Sequence, residues 1–423
     1  MNKRDGVYIG KGTVGADVVN STDGISAILA STGVAPTGLA LGVTKKLTGV
    51  SDAEAVGINA AYDTTNAVRV YRHITEFYRM AGEGVILYLM LYPQTVLPVA
   101  ALGATYAQKM IADAKGAIKK FGLAWNPPSD YAPVQLDGME TAIRSAIAPM
   151  QAFADWTDAT FRPVHTILEC RGLSVASAAA LDLTALVVNS LAVQYPQVTL
   201  AIAQDWDFAD TQDAIGKKFA DIGTLMGALA GRQVNENPGE VGAVNLTDVK
   251  KGKWLTAGIS SHIKTSDIEA DLSQWANKGY SLAWDYQSES VSGFRFSGDP
   301  VCAPVIEDAD GNLNESSISL SCTNAKIRRA LRDVYLPKVN SVQQVDTATG
   351  LLPIGRIKAL EDLGNDVFKG LSDAGIISGG NVKVDRNSNL LSGTKTLGVS
   401  FNWVPEGTIA QINGVVNIKS TLS

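Results

Sequence analysis

The sequence predicts an α/β protein, with mixed sheets flanked by helices and extended β arms at both ends suited to pairing with neighbouring subunits. Three observations predict it. Apolar strands alternate with helical stretches between residues 64 and 230, the order that gives a largely parallel sheet. Thr396–Val404 and Ile409–Ile418 alternate polar and apolar residues, as half-buried strands do. Met1–Val19 holds four glycines and no helical period, which reads as an extended arm.

The elements follow in order. Strands are expected near Val7–Ile9 and at Gly24–Ala30, and a short helix with an acidic first turn at Ser51–Val56. Thr64–Met80 carries Val68, Tyr71, Ile74 and Tyr78 on one helical stripe and stops at Gly82. Strand Val85–Tyr92 follows. Helix and strand then alternate: Tyr106–Phe121, Leu123–Trp125, Asp137–Asp155, Val164–Glu169, Leu181–Val193, Val198–Ala203 and Ile215–Leu229. Beyond Lys253 aromatic residues sit among turn formers. Ser266–Asn277 reads as a helix, Gly279–Pro304 as short strands and Asp308–Asn314 as a turn. Thr323–Val334 is helical, and Val339–Asp346 alternates like a strand. Arg356–Ala374 is an amphipathic helix with Ile357, Leu360, Leu363 (or Gly364), Val367 and Leu371 on its apolar stripe. Its wet face holds Lys358, Glu361, Asp362, Asp366, Lys369 and Asp373. Along Thr396–Val404, Leu397, Val399, Phe401 and Trp403 share one face. After the turn at Pro405-Glu406-Gly407, Ile412, Val416 and Ile418 share a face of the final strand, so a terminal β-hairpin is expected. The organisation is an arm at 1–21, an α/β domain at 22–252, an aromatic-rich β segment at 253–322 and a C-terminal domain at 323–423.

Composition limits the function. Charged residues make up 18% of the 423, below the roughly 25% of ordinary soluble domains. A chain that hides surface in subunit contacts has this balance. A net charge of -6 offers no basic face and argues against a nucleic-acid partner. Cys170, Cys302 and Cys322 are far apart and include no CxxC pair, so neither a disulfide framework nor a zinc site is suggested. His73, His165 and His262 have no second histidine at ligand spacing. No apolar segment follows the first basic residues, so no signal peptide is read. Gly84–Gln108 is uncharged, but Pro93 and Pro98 break it, and a buried strand with its loop is expected there instead of a stable membrane insertion.

Several motifs resemble chemistry without completing it. Gly10-Lys11-Gly12-Thr13-Val14-Gly15 is a GxGxxG after a strand, yet no acidic residue lies between Asp23 and Asp52 to hold a ribose. Glu307–Glu315 spaces its oxygens like a calcium loop, but Ser319 stands where the bidentate Glu belongs. Asp385–Asn389 fails similarly. Trp275, Trp284 and Phe294 could form a stacking platform, or pack as core. There is no GK[ST], GxSxG or HExxH motif. No catalytic residue, cofactor or metal is therefore expected.

The ends are the informative part. Fully extended, Met1–Val19 reaches roughly 60 Å, against a radius of gyration of about 22 Å for a compact chain of this length. Such an arm can lie on another subunit, where its N–H and C=O groups find a sheet edge.

At this point the residues resemble a known family. Asp5–Ile9, Ser51–Ile58, Tyr71–Tyr92, Leu331–Asn340 with Thr349-Gly350, Gly375–Ser378, Val384–Leu391 and Val404–Ile409 occur in the order and spacing of contractile tail sheath proteins. The similar branch is catalogued as a domain of unknown function. The resemblance implies a structural, non-enzymatic subunit of a phage tail, a tailocin or a type VI-like injection system. Its partners would be other copies of itself in six-fold rings stacked as a helical sheath, an inner tail tube protein, and baseplate and terminator proteins. It would reside in the virion tail after assembly in the host bacterial cytoplasm, and contraction would drive the tube through a cell envelope. The linking arms would carry Val7, Tyr8, Ile9 and Val14 at one end and Ile412, Val416 and Ile418 at the other. Leu397, Val399, Phe401 and Trp403 would belong to the receiving sheet. Lys358, Glu361, Asp362, Asp366 and Lys369 are the candidates for facing the tube. The rival class is a nucleotide-dependent α/β enzyme, for which Gly10–Gly15 and the α/β order speak.

Overall fold

The computed structural model describes residues 22–173, 177–392, 395–414 and 416. The strand expected at Val7–Ile9, the Gly10–Gly15 motif and the arm residues Val7, Tyr8, Ile9, Val14 and Ile418 lie outside that set.

The main sheet is built from β1 (Ser26–Thr32), β2 (Thr44–Leu47), β3 (Leu87–Pro93), β4 (Lys120–Ala124), β5 (His165–Glu169), β6 (Val198–Ala201) and β7 (Tyr280–Ser281). Their spatial order is β7-β6-β5-β4-β1-β3-β2. All neighbours are parallel except β2, which closes one edge antiparallel to β3. The apolar run at 85–92 is thus an internal strand paired on both sides, buried as such strands are. No helix among the described residues is long and apolar enough to cross a membrane.

Helices cover both faces. On one lie α1 (Ala60–Asn66), α2 (Val70–Ala81) and α4 (Ile222–Ala230); on the other lies α3 (Ile147–Ala159). The stretch read as one helix over Thr64–Met80 is two. Ala67 turns left-handed at φ 51°, and the buried Asp63 carboxylate accepts from the N–H groups of Tyr71 and Arg72 at 3.0 and 2.9 Å. A carboxylate on those free donors starts α2, and burial lifts it to a pKa of about 7.

α2 and α4 touch backbone to backbone. A Cβ on Gly223 would lie 2.2 Å from the carbonyl oxygen of His73, and one on Gly227 2.4 Å from that of Phe77. Next to this contact Arg72 is buried with three carboxylates. It donates to Asp221 and Asp205 at 2.9 Å each and lies 3.5 Å from Glu76. Glu76 also accepts from Arg79, Thr224 and Trp254. Burial works against its charge, yet Arg72 and Arg79 hold its pKa near 2.

Other readings are corrected by local chemistry. The helix expected at Leu181–Val193 is a hairpin, Val187–Val188 with Leu191–Ala192. Asn189 and Ser190 form its turn at φ 51° and 65°, positions asparagine tolerates and hairpins use. Tyr106–Phe121 is helical only over Ala107–Asp113, because Lys115 and Gly116 turn left-handed and the chain from Lys120 joins the sheet. Asp137 and Gly138 make a hairpin turn where a helix was expected to begin. The helix read over Ile215–Leu229 starts at Ile222, since Asp221 is committed to Arg72. Residues 253–322, read as an aromatic-rich β segment, supply β7 to the main sheet and pair Ala257–Ile259 with Ala203–Asp205. Trp275 is buried against Tyr280 at 5.3 Å between ring centres, while Trp284 and Phe294 lie on a separate hairpin, so no joint platform forms.

α5 (Ile318–Tyr335) leaves this core for the C-terminal region. Ile318, Ile327 and Leu331 are buried in the main cluster, and Tyr335 donates to the carbonyl of Leu360 in α6 (Ile354–Asp373) at 2.7 Å.

His73 and His165 are fully enclosed, and burial pushes both to pKa values of about 3 from 6.5. A depressed base leaves stability intact above 6.5 and removes it as pH falls toward 3. His73→Phe is expected to gain on the parent across that window, by up to about 1.4 kcal/mol per pH unit. Urea titrations at pH 7, 6, 5 and 4 measure it, and parallel curves for the two chains would contradict it.

Candidate assembly interface in the C-terminal hairpin

Two strands form the C-terminal sheet, β8 (Ile377–Val384) and β9 (Val399–Pro405), antiparallel with a bulge between Ile377 and Gly379. The expected terminal hairpin is thus shifted. Thr396–Val404 supplies one strand, its partner precedes it in the chain, and Ile409–Gly414 and Val416 belong to no strand. Val339–Asp346 is likewise not a strand. The alternation there leaves Val339 and Val342 exposed at 64% and 99%.

α6 packs along β8. Val382, Val384, Phe368 and Leu360 are buried between them, and Gly364 and Gly380 permit the contact, since a Cβ would lie 2.6 Å from Val382 and 2.7 Å from Phe368, respectively. The helix also satisfies the outer edge of β8. Val382 N–H donates to the Asn365 side chain at 3.0 Å and Val384 N–H to Glu361 at 3.2 Å.

Those two bonds define the other edge. Opposite residues of an antiparallel pair point their backbone groups both inward or both outward. Val382 and Val384 face Phe401 and Val399, so the N–H groups of Phe401 and Val399, and of Trp403 in the same phase, point away from β8. Among the described residues the free edge of the hairpin is β9. Leu397, Val399 and Trp403 are half-buried and Phe401 is 38% exposed with its ring against Tyr335. Alongside lies a groove of about 1210 Å³ between β9, α5 and the segment after it.

The structure divides the charged residues of α6. Lys358 and Asp362 pair at 3.1 Å on the exposed face, and Asp366 and Lys369 are also exposed. Glu361 is half-buried and belongs to the helix–hairpin contact. Ile412 and Val416 are 87% and 96% exposed.

The place where an α/β sheet would bind a ligand is crossed by a hydrogen-bonded cluster, with a cavity of about 270 Å³ beside it. Strand order reverses at β1, between β3 and β4, and the crevice at the carboxyl ends of β1 and β4 is the customary site. There Asn126 donates from its N–H to Ser31 Oγ at 2.6 Å and from its amide to Ser31 O at 2.8 Å, and it accepts from Arg69 N–H at 3.2 Å. In the Glu307–Glu315 loop, Asp308 accepts from the N–H groups of Asp310 and Asn312, which makes a closed turn. Among the described residues no three His, Cys, Asp or Glu side chains gather as a metal would require.

Residues 12–290 match the N-terminal domain of DUF2586. The chain belongs to the DUF2586 family. This DUF2586 chain has no match among curated proteins. Solved structures share its fold along its whole length. A chain of the anti-feeding prophage (AFP) baseplate aligns over 100% of both chains at TM-score 0.57 and 13% identity. The contracted AFP helical sheath aligns over 100% of both at 0.55 and 12%. The contracted sheath complex of the extracellular contractile injection system PVC aligns over 100% of this chain and 98% of its own at 0.51 and 10%. The DUF2586 chain therefore has the fold of contractile sheath proteins.

Sequence reasoning missed β8, because Ser378-Gly379-Gly380-Asn381 suppresses the strand signal, and it missed the side chains that close its edge. Asn365 and Glu361 sit four residues apart on α6, a spacing that is visible but silent until a strand lies beside it.

Proposed function

We propose that this chain is the structural sheath subunit of a contractile tail, polymerising around an inner tube and contracting to drive it through a cell envelope. The observation that carries the reading is the hairpin whose β8 edge is closed by α6 while its β9 edge is open, within a fold shared with sheath chains. An exposed edge is a template for another strand. The arms are its natural donors: Met1–Val19 with Val7, Tyr8, Ile9 and Val14, and the tail from Ile409 with Ile412, Val416 and Ile418.

Negative-stain electron microscopy of the purified chain, alone and with its tube protein, tests the class. Hollow striated cylinders or six-fold rings are expected; dispersed particles under both conditions would overturn the reading. Phe401→Pro tests the edge. Proline removes an outward N–H and is tolerated on edge strands. A folded chain that no longer polymerises is expected, with Phe401→Ala as the control for the lost ring. Polymer formation by the proline variant would place strand addition elsewhere.

Lys358, Asp362, Asp366 and Lys369 form the exposed charged face proposed to meet the tube, a contact that sets register more than affinity. The informative reversal is Asp362→Lys with Asp366→Lys, because changing Glu361 would disturb the subunit itself. Sheath assembly around the tube should fail while the free chain melts normally; unchanged co-assembly would exclude this face.

A further inference from the structure

Two surfaces outside the open β9 edge are unlike each other in charge and alike in being apolar. The first is the Val187–Ala192 hairpin with the loop after Cys302. Val187 and Leu191 are 57% and 70% exposed, and Val305 and Leu313 are 78% and 54% exposed. The two pieces adjoin through the Tyr195–Cys302 bridge and a contact from Asn314 to Gln194. No Lys or Arg occurs from residue 172 to 216 or from 296 to 325, whereas Glu307, Asp308 and Asp310 crowd the loop. This face is apolar and acidic.

The second is the α5 wall of the groove. Along it Arg328, Arg329, Arg332 and Lys338 line the groove together with Asp158, while Lys326 is paired with Asp23 at 2.6 Å. Leu336 and Val339 beside them are 50% and 64% exposed. Within the described structure Arg328 is paired with Asp158 and Arg332 lies over the Phe161 ring at 3.7 Å. This face is apolar and basic.

We infer that the acidic hairpin face of one copy docks on the basic α5 wall of a second copy. Both halves of the match are on one chain, which is what selects a second copy as the occupant. Because the two patches differ, the contact is heterologous and each copy keeps one half free for the next, so it propagates. Apolar side chains would supply the buried centre and the charges the register. The inference rests on the sheath reading for its setting, but the contact itself is pairwise and uses neither terminal arm.

Sedimentation velocity of the full chain over a concentration series reads the contact directly. Raising salt from about 0.05 to 0.5 M should weaken association, since the charges are exposed and screened. Reversing the loop (E307K, D308K, D310K) or the wall (K338E, an exposed groove residue) should each weaken it about tenfold or more, like charges being repulsive. Combining both reversals in one chain should restore it. V187S with L191S, on exposed positions, should weaken it without changing the melting temperature. A chain that stays monomeric at all concentrations, closes as a dimer without growing, or associates indifferently to these changes overturns the inference. Association that follows the charges without cylinders in the microscope keeps this contact and defeats the sheath reading. Cylinders indifferent to every reversal do the opposite.

Discussion

Gly227→Ala is expected to be among the most damaging single-methyl substitutions in the chain. The new Cβ would sit 2.4 Å from the Phe77 carbonyl oxygen and 2.9 Å from the Phe77 Cα. Both are backbone atoms of α2, so no rotamer change relieves them, and the helices must separate. Overpacking usually costs about 1–3 kcal/mol; with backbone on both sides the loss should reach the upper end of that range or exceed it. Gly223→Ala, 2.2 Å from the His73 oxygen, should behave alike. Gly370→Ala is the contrast. It lies within α6 with nothing within 4 Å of the added carbon, and the better helix former should be neutral or stabilising by up to about 1 kcal/mol. Thermal melts of the three variants decide this, and equal melting temperatures for Gly227→Ala and Gly370→Ala would refute the close-contact argument.

Arg72→Met should cost about 3–5 kcal/mol near neutral pH, the usual result of removing one partner from a buried ion cluster. Asp205, Asp221 and Glu76 would be left facing one another without their shared cation. Arg72→Lys should recover little, because a single ammonium cannot reproduce the forked donation to Asp221 and Asp205. The sign with pH follows from the same residues. Without Arg72 the carboxyls of Glu76 and Asp221 lose the cation that favours their charged forms, and burial and like charge favour the neutral acids. They would then take up protons as pH falls, and the gap to the parent chain should narrow. Urea unfolding at pH 7.5 and 5 measures it, and a gap that stays constant or widens on acidification would show that the three carboxylates are not the cause.

The alternation of elements was legible because the internal strands of the main sheet carry short apolar runs, and the layered α/β core follows from it; the edge strand β2, Thr44-Lys45-Lys46-Leu47, has no such run and gave no signal. Element ends were not. Asp137 and Asp221 sit where sequence suggests ordinary helix residues, and one is diverted by a left-handed turn and the other by Arg72, distant in the chain; Asp63, just ahead of the expected start at Thr64, instead lies in a first helix and starts the second. The glycine spacing 223, 227, 231 was present in the sequence, but a stripe of small residues states a close approach without naming what approaches. In the C-terminal region the apolar face of Leu397–Trp403 was readable. Which edge is open was not, because it depends on two side chains of α6 meeting two N–H groups of β8.

The continuity of α5 has a mechanical consequence. Its 18 residues span about 27 Å. One end is embedded beneath the main sheet and the other is bonded to α6, and Asn235 adds a second tie by donating to the Gly375 carbonyl at 2.9 Å, so a pull exerted on the hairpin would reach the core along the helix axis and through that loop. Tension along an unbroken helix is shared by its whole backbone ladder, with no hinge in which the displacement could dissipate. The short turn at Leu336–Lys338 follows only after the helix has reached α6. A subunit built this way behaves as a strut: displacement imposed at its edge strand moves the sheet with it.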